Sequence, residues 1–143
     1  MEHPAHPDHP AHPDHTQSAP SVQGPAERLV VHLVVDRLHL LDLAGPVEVF
    51  RTANLLGAEP RYRNLVIGPG GVAVRSDSAV TVLPDASIDD IVGAAGASDT
   101  SLGTSGAGPI HDSPLHTLVV IGGLGVRAHV GDESFRSQLR QLA

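Results

Sequence analysis

At 143 residues, 41% hydrophobic and with a net charge of −7 when histidine is neutral, the chain has room for one domain and repels phosphate-rich polymers by its sign. It contains no cysteine, which excludes disulfides, thiolate metal sites and a cysteine nucleophile together. Aromatic residues make up 2%, so a core has to be built from Val, Leu, Ile and Ala, and base stacking has little to work with.

All nine basic residues are arginine, a bias to which we attach no function. No apolar run reaches the ~18 residues of a membrane span. The N-terminus has no basic and apolar signal region. With the missing cysteine, these features give the expectation of a cytoplasmic protein.

The chain opens with HPAHPD twice in tandem, placing His3, His6, His9, His12 and His15 three residues apart. Proline at every third position favours polyproline II, with three residues per turn, which puts all five imidazoles on one face. At a rise of ~3.1 Å per residue, successive rings lie about 9 Å apart along the axis. One metal ion needs ligand bonds near ~2 Å, so the extended form cannot chelate through neighbouring histidines. Weak nickel or zinc binding requires the segment to fold back; otherwise it is a repeat tail without a core. Residues 16–25 read as a polar linker, so 1–27 form a disordered tail.

Leu29 to Val35 is apolar apart from His32 and suits a central parallel strand covered on both faces. Pro46 fits the first position of a helix running to about Leu56, with Gly45 as its N-cap, Glu48 in the first turn and Gly57 beyond its end. Tyr62 to Ile67 is the second strand. Gly68-Pro69-Gly70-Gly71 is a tight turn. Val72 to Val74 and Val80 to Leu83 make a short strand pair, ended by Pro84-Asp85. Ser87 or Asp85 can cap a short turn over Ile88 to Val92.

Gly93 to His116 is small, polar and glycine-rich without periodicity, and reads as a flexible insert over 93–116. Leu118 to Ile121 is the last strand, followed by Gly122-Gly123-Leu124-Gly125. Asp132 caps a helix from Glu133 to Leu142, with Phe135, Leu139 and Leu142 on one apolar stripe. Alternating strands and helices predict an α/β fold with an open, mostly parallel sheet and helices on both faces.

Three blocks carry a resemblance: LLDLAGPVEVFR (Leu40 to Arg51), VRSDSAVTVLPDASIDD (Val74 to Asp90) and TLVVIGGLGVR (Thr117 to Arg127). In this order they resemble the ThiJ/PfpI-like, class I glutamine-amidotransferase-like domain over 28–143. The form they resemble most stands at the N-terminus of GlxA-type regulators of the AraC family. The resemblance implies a flavodoxin-like sheet that is incomplete at its C-terminal side, because the nucleophile strand and its turn would follow Leu142. It also implies an N-terminal part of a larger regulator, serving as a non-catalytic, ligand-sensing domain. A fragment of an isonitrile-hydratase-like or other ThiJ/PfpI-family enzyme is the alternative.

Gly122 and Gly123 match the turn that presents backbone amides to an oxyanion in that superfamily; they can equally permit a tight turn. Glu48 matches the acid beside the nucleophile, and an acid in a first helical turn also favours the helix dipole by roughly 0.3–1 kcal/mol. Asp42 suits local turn hydrogen bonds, and Arg127 suits either an anionic ligand or solvent. With Gly45 these residues form the candidate ligand pocket.

Gly123 to Ala128 also spells G-L-G-V-R-A, but a dinucleotide fingerprint should open a helix directly and be followed by an acid about 20 residues on. Neither is expected here. His32, His39, His111, His116 and His129 offer no metal or catalytic spacing, and Ser76 and Ser78 lack a Gly-x-Ser-x-Gly setting. No catalytic residue and no resident cofactor are expected. The partners expected are an unknown small molecule and, through an open apolar edge on the last strand, a second chain. Direct contact with nucleic acid or membrane is not expected.

Overall fold

The computed structural model describes residues 27–96 and 115–142. The histidine repeat, the linker, residues 97–114 of the insert with His111, and Ala143 lie outside the described residues.

Strand β1 (Arg28–Leu33) leads into helix α1 (Leu40–Leu55) and strand β2 (Tyr62–Gly68). A 3₁₀ turn at Pro69–Gly71 precedes β3 (Val74–Arg75) and β4 (Thr81–Val82), which pair antiparallel as a sheet of their own. Then come β5 (Ala86–Ser87), α2 (Ile88–Gly96), β6 (Leu115–Val120), α3 (Leu124–His129) and α4 (Glu133–Leu142). The main sheet has the order β5-β2-β1-β6, and all its pairings are parallel. The α/β fold read from the sequence is therefore the fold observed, with β1 central and paired on both edges.

Because β1 is covered on both faces, its side chains alternate between two cores. Leu29, Val31, Leu33 and Val35 pack with Leu65, Ile67, Ile88, Ile91, Phe135 and Leu142, beneath α2 and α4. On the opposite face Val34, Leu38, Leu43, Val74 and Ile121 form the core beside α1. His32 also lies on the α1 face, fully buried, where its Nε2 is 2.8 Å from Asn64 Oδ1. Its ring meets Phe50 edge-on at 6.3 Å.

Several local expectations hold. Ser87 and Asp90 form a reciprocal N-terminal clasp: Asp90 N–H donates to Ser87 Oγ at 3.0 Å, and Ser87 N–H donates to Asp90 Oδ2 at 2.8 Å. Hydrogen bonding to the Asp90 carboxylate, first from the Ser87 hydroxyl and then from the Ser87 amide, holds it below its ordinary pKa of 3.8. Asp132 Oδ1 accepts the amides of Ser134 and Phe135 at the start of α4. Gly57, at φ 90°, ends α1 with its N–H on Asn54 O and that of Ala58 on Ala53 O, the paired bonds of a Schellman motif.

Three expectations are corrected. Helix α1 begins at Leu40, not Pro46, so Gly45 is interior rather than the N-cap and Glu48 lies beyond the first turn. His39 is the N-cap, without a side-chain cap bond. Pro46 is tolerated inside the helix at the cost of the N–H that Asp42 C=O would accept. The insert is shorter than 93–116, because α2 continues to Gly96 and β6 starts at Leu115. Ala94 and Ala95 are good helix formers and extend α2 through what reads as loop. Finally, α3 opens directly after Gly123, where no helix was expected.

Candidate functional site

In an open α/β sheet, a crevice forms outside the carboxyl ends of two adjacent strands whose connections leave in opposite directions. Here β1 and β6 are the adjacent strands at the sheet's edge: the chain leaves β1 towards β2, while β6 lies on β1's other side and leads into α3 and α4. The residues at this point are Val34 to His39 and Ile121 to Gly125.

The two loops are locked together by backbone. Ile121 N–H donates to Leu33 O at 2.9 Å, His39 N–H donates to Gly122 O at 2.9 Å, and Leu38 and Gly123 form an antiparallel bridge. The close approach explains the glycines. A Cβ on Gly125 would fall 1.6 Å from Asp36 O, and one on Gly123, at φ 145°, 2.4 Å from Arg37 O. The space that a dinucleotide fingerprint would leave for pyrophosphate is filled by the β1 loop. The helix that such a fingerprint requires does follow, as α3, but these glycines face protein backbone.

The β3–β4 hairpin closes over the same loop. Arg37 N–H donates to Arg75 O at 2.6 Å, Arg75 N–H to Asp36 Oδ1 at 2.9 Å, and Asp77 N–H to Leu38 O at 3.1 Å. Arg37 is held at φ 61°, a left-handed conformation uncommon for a residue with a side chain. Both its neighbours are tied to other elements, which keeps it there.

Three polar side chains gather where these loops meet α1. His39 Nε2 lies 3.0 Å from Asp77 Oδ2, and His39 Nδ1 lies 3.6 Å from Asp42 Oδ2. Asp42 in turn covers Gly122, where a Cβ would lie 2.5 Å from Oδ2. All three side chains are about half-exposed or a little less, so the cluster is open to small molecules. Chemically it offers carboxylate acceptors around an imidazole, suited to a ligand with hydrogen-bond donors.

Of the residues named from the sequence, Asp42, Gly122 and Gly123 come together here. Gly45 is exposed on α1, with no atom within 4 Å of a Cβ placed on it. Glu48 is exposed and paired with Arg51 at 3.4 Å, and Arg127 is exposed on α3. Sequence reasoning missed His39 and Asp77. A helix started at Leu40 would have put His39 and Asp42 on one turn; Asp77 arrives from the hairpin and leaves no local signal. Among the described residues, no group of three or more His, Asp or Glu side chains is placed so that it could hold a metal ion. No described helix is long and apolar enough to cross a membrane.

No family model matches the chain. An uncharacterized protein in the cpoL 5′ region of Streptomyces lividans is 46% identical over 56 residues, covering 39% of this chain and 38% of that protein. Among solved structures, DJ-1beta of Drosophila melanogaster aligns over 79% of this chain and 47% of its own, with 20% identity and a TM-score of 0.53. An AraC family transcriptional regulator from Pseudomonas putida aligns over 79% of this chain and 56% of its own, with 19% identity and a TM-score of 0.51. The chain thus spans about half the length of the structures it matches. It shares the α/β fold of these two proteins.

Proposed function

We propose that this chain is the ligand-sensing part of an AraC-family-type transcriptional regulator, non-catalytic, with its ligand held at the junction of the β1 and β6 loops. The observation that carries the reading is the His39–Asp42–Asp77 cluster over Gly122, at the carboxyl ends of β1 and β6. Its groups accept and donate hydrogen bonds and are open to solvent, yet the sequence holds no cysteine to act as a nucleophile there. The likeness in fold to the Pseudomonas putida regulator and the block Leu40 to Arg51 support the regulatory side of the reading. The net charge of −7 supports a reading in which these residues do not contact DNA themselves.

Thermal unfolding in the presence of a panel of small metabolites tests it. A ligand that binds the folded state raises the midpoint, by an amount that grows with the logarithm of its concentration over its Kd. The shift should vanish in Asp42→Asn with Asp77→Asn, while that variant keeps its own cooperative transition. Turnover of an isonitrile or a dicarbonyl by the purified chain would instead favour the enzyme reading.

A further inference from the structure

At the end of the sheet away from the junction, β1, β2 and β6 all begin, because their pairings are parallel. Tyr62, the chain's only tyrosine, stands there and is held from two sides. The Asn54 side chain clamps its backbone, donating to Tyr62 O at 2.7 Å and accepting Tyr62 N–H at 2.7 Å, and the Phe50 ring lies 4.9 Å from its own. The Tyr62 hydroxyl accepts a bond from Arg28 Nη1 at 3.1 Å, with the guanidinium carbon 5.4 Å from the ring centroid. The hydroxyl's own proton is left over, with no acceptor among the described residues.

β6 is irregular at this same place. Leu29 of β1 pairs with Leu115 but Val30 pairs with Thr117, so His116 is an extra residue bulged out of the ladder. Strict alternation would send its ring to the face opposite Thr117. The bulge instead brings it edge-on to Tyr62, with ring centroids 6.2 Å apart. Bulges that re-aim one side chain are over-represented beside functional sites. His116 Nδ1 is 2.8 Å from Thr117 Oγ1, which leaves Nε2 of this exposed residue without a partner among the described residues.

Positive charge collects here in a chain of net charge −7. Arg28 N–H donates to Arg61 O at 2.8 Å, so a second, exposed arginine stands beside the first. Neither has an ion pair among the described residues, whereas Arg51, Arg136 and Arg140 do. Arg63, opposite Leu29 on the sheet's other face, buries its Nη2 without an acceptor as well. Two unpaired guanidinium groups, a spare O–H and a spare ring nitrogen make a set of donors that lacks an acceptor.

We propose that this end of the sheet binds a small phosphate-type anion. Arg28, the Tyr62 hydroxyl and His116 Nε2 are its donors, the last when Nδ1 accepts the Thr117 hydroxyl proton, and Arg61 adds attraction. A tetrahedral anion has oxygens for donors that arrive from several directions, whereas a carboxylate offers two in one plane. The overall negative charge repels a phosphate polymer but leaves a small anion free to enter a local positive patch. The site shares no residue with the His39–Asp42–Asp77 cluster and lies at the opposite ends of the strands.

With one tyrosine and no tryptophan, Tyr62 is the chain's own reporter. Titrating the full chain with inorganic phosphate at constant ionic strength should change tyrosine fluorescence along a saturating curve, and a phosphate monoester should do the same. Arg28→Gln should weaken the apparent affinity about tenfold, as expected for losing one charge-assisted bond. His116→Ala should weaken it several-fold, and Arg127→Gln, at the other end of the sheet, should leave it unchanged. A linear decrease without saturation, the same in wild type and Arg28→Gln, is collisional quenching and would overturn the proposal. An equal response to acetate or chloride would also overturn it. If Arg28→Gln is too unstable to titrate, the thermal midpoint carries the test: phosphate should raise it in wild type and less in His116→Ala, and equal shifts or none would refute the site.

Discussion

His39 Nε2 stands 3.0 Å from Asp77 Oδ2, and this contact joins the N-cap of α1 to the β3–β4 hairpin. Both side chains are well exposed, so water screens the pair. Asp77→Ala should therefore cost under about 1 kcal/mol in urea unfolding, because the amide of Asp77 still donates to Leu38 O. Ligand binding at the junction should be lost far more steeply than stability.

The junction glycines should rank by what stands where a Cβ would go. Gly125→Ala meets the backbone oxygen of Asp36 at 1.6 Å and forces two loops apart, costing about 3 kcal/mol or more. Gly122→Ala meets only the carboxylate of Asp42, which can swing away, and should cost about 1 kcal/mol. Asp42→Ser should recover most of that smaller loss. Denaturant midpoints of Gly125→Ala, Gly122→Ala and Gly122→Ala with Asp42→Ser check the order.

Burial of His32 makes an opposite pair of outcomes. His32→Ala removes a core ring and orphans Asn64 Oδ1, and should cost about 2–4 kcal/mol. His32→Leu with Asn64→Leu removes both polar partners and keeps the volume, so it should be closer to neutral. Thermal unfolding of the single and double variants separates the lost hydrogen bond from the lost packing.

Asp90 gives a pH dependence with a definite sign. Its folded pKa lies below the ordinary 3.8 because Ser87 bonds favour the carboxylate. Its stabilisation is complete above that value and is lost as pH falls through the lowered folded pKa. Asp90→Asn should flatten the acid limb of a stability–pH profile below about pH 4 and leave the neutral region nearly parallel to wild type.

The histidine repeat should take up nickel or zinc weakly, with affinity falling as pH drops through the ordinary imidazole pKa near ~6.5, since a protonated ring cannot ligate. Calorimetry on the full chain with His3, His6, His9, His12 and His15 all changed to Ala should show the heat abolished. Unchanged heat would place any uptake elsewhere.

How much of this was legible before the structure depends on whether the signal was local. The apolar run after Arg28, the Gly68 to Gly71 turn, the Ser87 clasp and the Asp132 cap each state their geometry within a few residues, and each was found. Pro46 misled because its preference for a first helical turn is a local rule, and packing of Leu43 and Leu40 on the sheet outweighed it. α3 is a single glycine-flanked turn and a half, too short for any periodicity to show. The ligand cluster needed residues from a helix cap and a distant hairpin, so only the Asp42–Gly122 half of it could be suspected.

The strand order has a bearing on how the chain assembles. β1 pairs with β2 across the single helix α1, but its other edge waits for β6, whose residues are made more than eighty positions later. During synthesis β1, α1 and β2 can settle first, leaving one flank of β1 exposed until Val120 has emerged. Closing so long a separation is slow but not much more costly than closing a shorter one, at only about 0.6 kcal/mol per doubling of the loop. Length changes between Gly96 and Leu115 should therefore alter the folding rate more than the final stability, and the vulnerable moment for aggregation is the interval before β6 arrives.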